Sequence, residues 1–144
     1  MTRTERLQPV VKHTENKEKK ALEAMALSQG ELELEKTRLS QLKSYKQEYF
    51  QSHSQQNRVY SSLELQEFNR FLAQLDQSID QQIKLIELRE TELDYKRRSW
   101  QTTHMESKVM NKVVDNLQRQ EQILESRREQ KQMDELSQRK ILKS

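Results

Sequence analysis

From Leu7 onward, apolar residues recur in alternating steps of four and three. Leu7, Val11, Ala21, Met25, Leu32, Leu39, Leu42 and Tyr49 share one frame with Thr14, Glu18, Ser28, Glu35 and Lys46, so eight of thirteen positions are apolar. Spacing of this kind puts one stripe on one face of an α-helix and defines a coiled-coil seam. Pro9 fits the first turn, where its missing N–H costs nothing. The pattern stops at His53-Ser54-Gln55-Gln56-Asn57-Arg58. Ser61 and Glu64 then stand at capping-box spacing, with Tyr60 and Leu65 placed as a hydrophobic staple. A second frame follows: Leu65, Phe68, Leu72, Leu75, Ile79, Gln82, Ile86, Arg89, Leu93, Lys96 and Trp100, continuing through Met110, Val114, Leu117 and Leu124 without proline or glycine. The prediction is an all-α, antiparallel two-helix coiled-coil hairpin with the second helix longer. Helix one covers about residues 5–52, the loop 53–60 and helix two about 61–141. At ~1.5 Å per residue helix two reaches on the order of 120 Å.

Folding at the loop pairs residue i with residue 114 − i. Leu42 then meets Leu72, Leu39 meets Leu75, Ala21 meets Leu93, Glu18 meets Lys96 and Thr14 meets Trp100. Every seam position of one helix lands on a seam position of the other, which favours a hairpin within one chain, and hence a monomer. Ser28/Ile86 and Glu35/Ile79 make weak polar layers, and Gly30 beside them costs ~1 kcal/mol against alanine. In this register about residues 113–144 overhang.

Composition supports the narrow seam. The chain has 144 residues, 32% hydrophobic and 34% charged, with one glycine, one proline and no cysteine. A compact domain is normally about 45–50% apolar, so there is too little here to fill a round interior. Disorder gives no reason for the periodicity. The absence of cysteine removes disulfides and thiolate metal sites and suits a reducing cytoplasm. No apolar run approaches the roughly 20 residues of a membrane span, and MTRTERLQPVVKH lacks a signal-peptide core. Direct membrane insertion is therefore not expected.

Catalysis has no support either. There is no Gly-rich phosphate loop, and His13, His53 and His104 have no metal-ligand spacing. Carboxylates on a charged rod are solvated surface. No catalytic residue, cofactor or metal is expected, and the protein is read as a non-enzyme.

Two features are left over by the seam. Near the loop, Leu42, Tyr45, Tyr49 and Phe50 face Phe68, Phe71, Leu72 and Leu75, more apolar surface than one seam absorbs. Tyr45 and Phe71 lie to its side. This surface is a docking patch for a protein partner, a locally wider core, or the seat of a helix from a second copy. Beyond the hairpin, Val114, Leu117, Ile123, Leu124, Met133, Leu136, Ile141 and Leu142 alternate with Arg119, Arg127, Arg128, Lys131, Arg139 and Lys140. Such a helix either enters a groove or ring, or frays. Residues 96–144 carry 12 basic and 7 acidic groups, so an acidic partner surface and an ordinary solvated helix both fit. A bZIP-like nucleic-acid binder and a structural coiled-coil spacer or adaptor are the rival classes. Glu121, Glu125, Glu129, Asp134 and Glu135 would repel phosphate and argue against nucleic acid.

Three segments resemble a known family. Leu42-Lys43-Ser44-Tyr45-Lys46-Gln47-Glu48-Tyr49, the Phe68–Gln82 stretch FNRFLAQLDQSIDQQ and residues 130–139, QKQMDELSQR, are similar, in order, to signatures of the FliJ family of the bacterial flagellar type III export apparatus. The resemblance is collinear over nearly the whole chain. It implies an antiparallel coiled coil like the central stalk of rotary ATPases, with the end carrying the chain termini inserted into the hexameric ring of the export ATPase FliI. It also implies contact with the export-gate protein FlhA, cycling of flagellar export chaperones, and a cytoplasmic location peripheral to the inner membrane at the flagellar base. Carried over by position, the gate-contacting residues are Arg38, Leu42, Tyr45, Tyr49, Phe71, Leu75, Ser78 and Gln82. Arg38, Ser78 and Gln82 stand where the family pattern has glutamine, alanine and histidine. Leu42 and Leu75 also belong to the seam frame. Assigned to the ATPase ring are Leu117, Leu124, Arg127, Arg128, Lys131, Met133, Leu136 and Arg139.

Overall fold

The computed structural model describes residues 2–56 and 58–143, with Lys143 described in its backbone alone. Two helices, α1 (Arg3–Gln55) and α2 (Ser62–Lys143), make up nearly all of it, and no strand occurs among the described residues. The protein is the all-α helical hairpin that the seam frames predict, with the second helix longer.

Each helix is started by its own sequence. The Thr2 hydroxyl accepts from the Glu5 amide (3.2 Å) while the Glu5 carboxylate accepts from the Thr2 amide (3.4 Å), a reciprocal capping box. Helix α1 therefore begins earlier than the periodicity indicates, and Pro9 stands inside it, past the first turn. There it removes a backbone hydrogen bond and crowds the carbonyl four residues earlier. At the start of α2, Ser61 Oγ accepts from the Glu64 amide (3.2 Å). Only this half of the expected box is seen, since the Glu64 carboxylate takes a hydrogen bond from Arg58 (3.0 Å). Tyr60 stacks on His53 rather than stapling Leu65, which stays exposed.

The chain divides into two compact units. In the unit Leu22–Ser99, the buried core is Leu32, Ile86 and Leu93, with Met25 and Leu39 packed against it. Phe68 and Leu75 are buried nearer the loop. The 114 − i register is not the one adopted. Glu35 pairs with Gln82 instead of Ile79, three residues later on α2. Leu32 shares a cluster with Ile86, and Tyr49 stacks on Phe68. The polar layers consequently change partners. Glu35, 5% exposed, accepts from Gln82 Nε2 (2.5 Å) and from Arg38 (2.8 Å). Ser28 Oγ and Arg89 Nε are buried without a hydrogen-bond partner.

The other unit comprises Met1–Ala21 and Trp100–Ser144. Its pairing also departs from expectation. Glu18 accepts from His104 Nδ1 (2.6 Å) and not from Lys96, and Lys17 bridges to Glu106 (3.4 Å). Trp100 stacks on His104, while the Thr14 hydroxyl donates to its own helix at the Val10 carbonyl. The Thr4 amide and hydroxyl both donate to the Glu121 carboxylate, at 3.2 and 2.9 Å. Val114 is buried and Leu117 half-buried. The stretch of α2 whose described side chains are all exposed therefore begins after Glu121 rather than near residue 113. From Gln122 to Leu142 every described side chain is exposed.

Candidate protein-docking surfaces

The first surface is built by rings that the seam brings together near the loop. Tyr49, the last position of the apolar frame of α1, lies between Phe68 (centroids 5.4 Å apart, stacked) and Phe71 (4.5 Å, tilted). His53 continues the same face of α1 and lies flat on Phe68 at 3.6 Å and on Tyr60 at 4.1 Å. Tyr60 directs its hydroxyl at the His53 carbonyl (3.1 Å) and the Gln56 side-chain oxygen (2.9 Å), which ties the end of α1 to the approach to α2. Stacked and edge-on pairs of this kind contribute about 0.5–1.5 kcal/mol each beyond their buried area. The result is a locally widened core with two rings at its edges. Tyr45 meets Phe71 edge-on at 6.3 Å and remains 50% exposed; Phe50 meets Phe68 at 6.3 Å and remains 53% exposed.

The residues carried over for a gate contact divide accordingly. Tyr45, Arg38 and Ser78 are exposed, although Arg38 is held by Glu35. Leu42, Tyr49 and Phe71 are half-buried. Phe71 is thus not a ring projecting free of the seam, because the adopted register places Tyr49 against it. Leu75, 8% exposed, is interior, and Gln82 is engaged by Glu35. Neither presents a free surface.

The second surface is the end of α2. Leu124, Arg127, Arg128, Lys131, Met133, Leu136 and Arg139 are all exposed on one continuous helix, while Leu117 is drawn into the paired region. Met133 is 69% exposed and Leu136 58%. A lone helix holds such residues in water only because its own backbone is satisfied; its apolar side chains gain nothing until something covers them.

Sequence reasoning misses two pairings. His53 and His104 have no metal-ligand spacing, yet each stacks on an aromatic ring, and His104 bonds to Glu18. The signal was available for His53, which follows Tyr49 at the next seam step. In the Glu18 pair the hydrogen bonds from His104 and then Ser107 hold the carboxyl below its ordinary range, against the opposing effect of desolvation. Among the described residues no group of three or more His, Asp or Glu side chains is placed to hold a metal. Nor is any described helix long and apolar enough to cross a membrane.

These observations define a two-helix coiled-coil protein that leaves apolar side chains exposed beside the loop and along the end of α2. A family model for the flagellar FliJ protein matches residues 3–144, and the chain belongs to that family, components of the flagellar export apparatus that are not catalysts. No curated protein and no solved structure gives a significant match.

Proposed function

We propose that the protein couples the export ATPase to the export gate by contact, without chemistry of its own. The end of α2 after Glu121 enters the ring of the FliI hexamer, and the aromatic edge near the loop meets the gate protein FlhA. The same surfaces serve the cycling of export chaperones, at the cytoplasmic side of the flagellar base. One observation carries the reading: a long stretch of α2 keeps Leu124, Met133 and Leu136 exposed, interleaved with exposed Arg127, Arg128, Lys131 and Arg139. An apolar stripe on a basic helix fits a groove or ring better than a free existence. At the other surface, Tyr45 with the accessible sides of Leu42, Tyr49 and Phe71 forms the contact, flanked by Arg38 and Ser78.

The test is a pair of variants measured against purified FliI and FlhA. Truncation after Gln122 removes ring binding and leaves gate binding, because every described side chain beyond Gln122 is exposed. Tyr45→Ala weakens gate binding about tenfold or more, the loss of an interface anchor, and leaves ring binding unchanged. If the truncated chain still binds the ring, the assignment of the α2 end is wrong. If neither purified partner binds the intact chain, the protein is a spacer.

A further inference from the structure

We propose that residues 3–21 of α1 form a strap that detaches from α2 and recloses while the Leu22–Ser99 unit stays folded. Four independent observations place a weak point there. Pro9 lies inside the strap, so the helix loses a backbone hydrogen bond in the segment that must hold the docked conformation. Among the described residues of the unit containing the strap, the buried ones are Thr4, Thr103, Ser107 and Val114, of which Val114 alone is apolar. Trp100 is held with its indole Nε1–H buried and without a hydrogen-bond partner, which disfavours the closed state. The strap's apolar side chains Leu7, Val11 and Ala21 are only half-buried, and its described hydrogen bonds and ion pairs between the helices include Thr4 to Glu121, Glu18 to His104, and Lys17 to Glu106, the last with both side chains about half exposed.

Each of these groups recovers most of its hydrogen bonding from water when the strap opens, so the exchange is close to even. The Leu22–Ser99 unit has no such exit. Leu32, Phe68, Leu75, Ile86 and Leu93 are buried in it, and opening would return that apolar surface to water. Local openings of low free energy are expected where apolar burial is sparse and polar contacts dominate. Opening the strap uncovers the face of α2 bearing Trp100, Met110, Val114 and Leu117. It does so without altering the aromatic cluster.

Hydrogen exchange of the full chain, read by mass spectrometry, tests this directly. Amides of residues 10–21 should be protected relative to an unstructured peptide, yet exchange at least about a hundredfold faster than those of residues 32–46. His104→Ala, which alters only the opposite helix, should accelerate exchange of residues 10–21 about threefold or more and leave residues 32–46 unchanged. Equal rates in the two segments of the wild-type chain would show one cooperative fold and overturn the proposal. Complete absence of protection in residues 10–21 would overturn it as well, since a strap that never closes is not a switch. A His104→Ala effect spread equally over both segments would show that the contact supports the whole hairpin, and would likewise overturn it.

Discussion

Replacing Gln82 by leucine adds apolar surface to a seam, and simple burial arithmetic says the protein should gain about 1.5–3 kcal/mol. The structure says otherwise. Gln82 Nε2 donates to the Glu35 carboxylate at 2.5 Å and to the Glu35 carbonyl at 2.9 Å, and Glu35 is only 5% exposed. Without Gln82 the carboxylate keeps Arg38 at 2.8 Å, but its other oxygen has no partner and little access to water. An unsatisfied buried acceptor costs ~1–3 kcal/mol, more when charged, and a buried charge stripped of a partner costs ~3–5 kcal/mol. The expected net change for Gln82→Leu is a loss of about 1–2 kcal/mol, since the leucine gain offsets part of the penalty. Glu35→Leu should be near neutral. It strands one amide donor, which still reaches the backbone carbonyl of residue 35, and it removes the desolvated charge. The double variant E35L/Q82L removes both polar groups from the layer beside Leu32 and Ile86 and should be more stable than wild type by ~1–4 kcal/mol.

Urea denaturation followed by helical circular dichroism measures all four proteins, with the slope of the transition checking that the unfolding reaction has not changed character. The order expected is E35L/Q82L above wild type, wild type and E35L close together, Q82L lowest. A Gln82→Leu protein as stable as wild type or more so refutes the reasoning, because Glu35 would then not depend on Gln82. The chain has no cysteine, so paired cysteine substitutions report register without background. The double variant H53C/F68C, at directly opposed positions, should form an intrachain disulfide more readily than E35C/I79C.

Gly30→Ala should stabilise the protein by ~0.5–1 kcal/mol in the same assay, because a Cβ there meets nothing within 4 Å and the position is helical; a loss of stability would mean that something packs on that face. Leu75→Ala should cost ~2–5 kcal/mol as a core truncation, whereas Tyr45→Ala, half exposed, should cost ~1 kcal/mol or less; equal losses would show that Tyr45 is core. The Glu18 carboxyl is held below its ordinary value of 4.5 chiefly by the His104 hydrogen bond, so its contribution is present above that value and lost as pH falls through the depressed one. Acidification should therefore speed exchange of residues 10–21 more in the wild type than in Glu18→Gln; an identical acid response would show that this pair does not titrate with docking.

Helix existence, the position of the break and the greater length of α2 were legible because each rests on local signals. Four-three spacing, a Ser61 cap and the lack of breakers after residue 61 act within a few residues of one another. The start of α1 is as local, in Thr2 and Glu5, but lies outside the apolar pattern that marks the rest of the helix. Docking surfaces were half legible. Exposure of Tyr45 and of the α2 end follows from counting apolar residues against one seam, but the fates of Phe71, Leu75 and Gln82 depend on which residue stands opposite. That information is not local.

Register is the least legible property of such a fold, and the reason is geometric. Both helices repeat their seam every seven residues, so sliding one past the other by seven residues again lays seam on seam. The coincidence of frames under 114 − i was therefore satisfied by several registers and could not select among them. Selection falls to the polar layers. Under 114 − i the Glu35 carboxylate would face Ile79, and Gln82 would face Leu32, with no carboxylate at that position. Burying the charge without that amide costs several kcal/mol, comparable with the roughly 5–15 kcal/mol stability of a whole small domain. A slide of about seven residues lays His53 on Phe68, brings Glu18 to His104, and puts Gln82 within reach of Glu35. Residues that look like defects in the apolar frame thus decide the pairing, because an apolar layer tolerates a slide and a buried carboxylate does not.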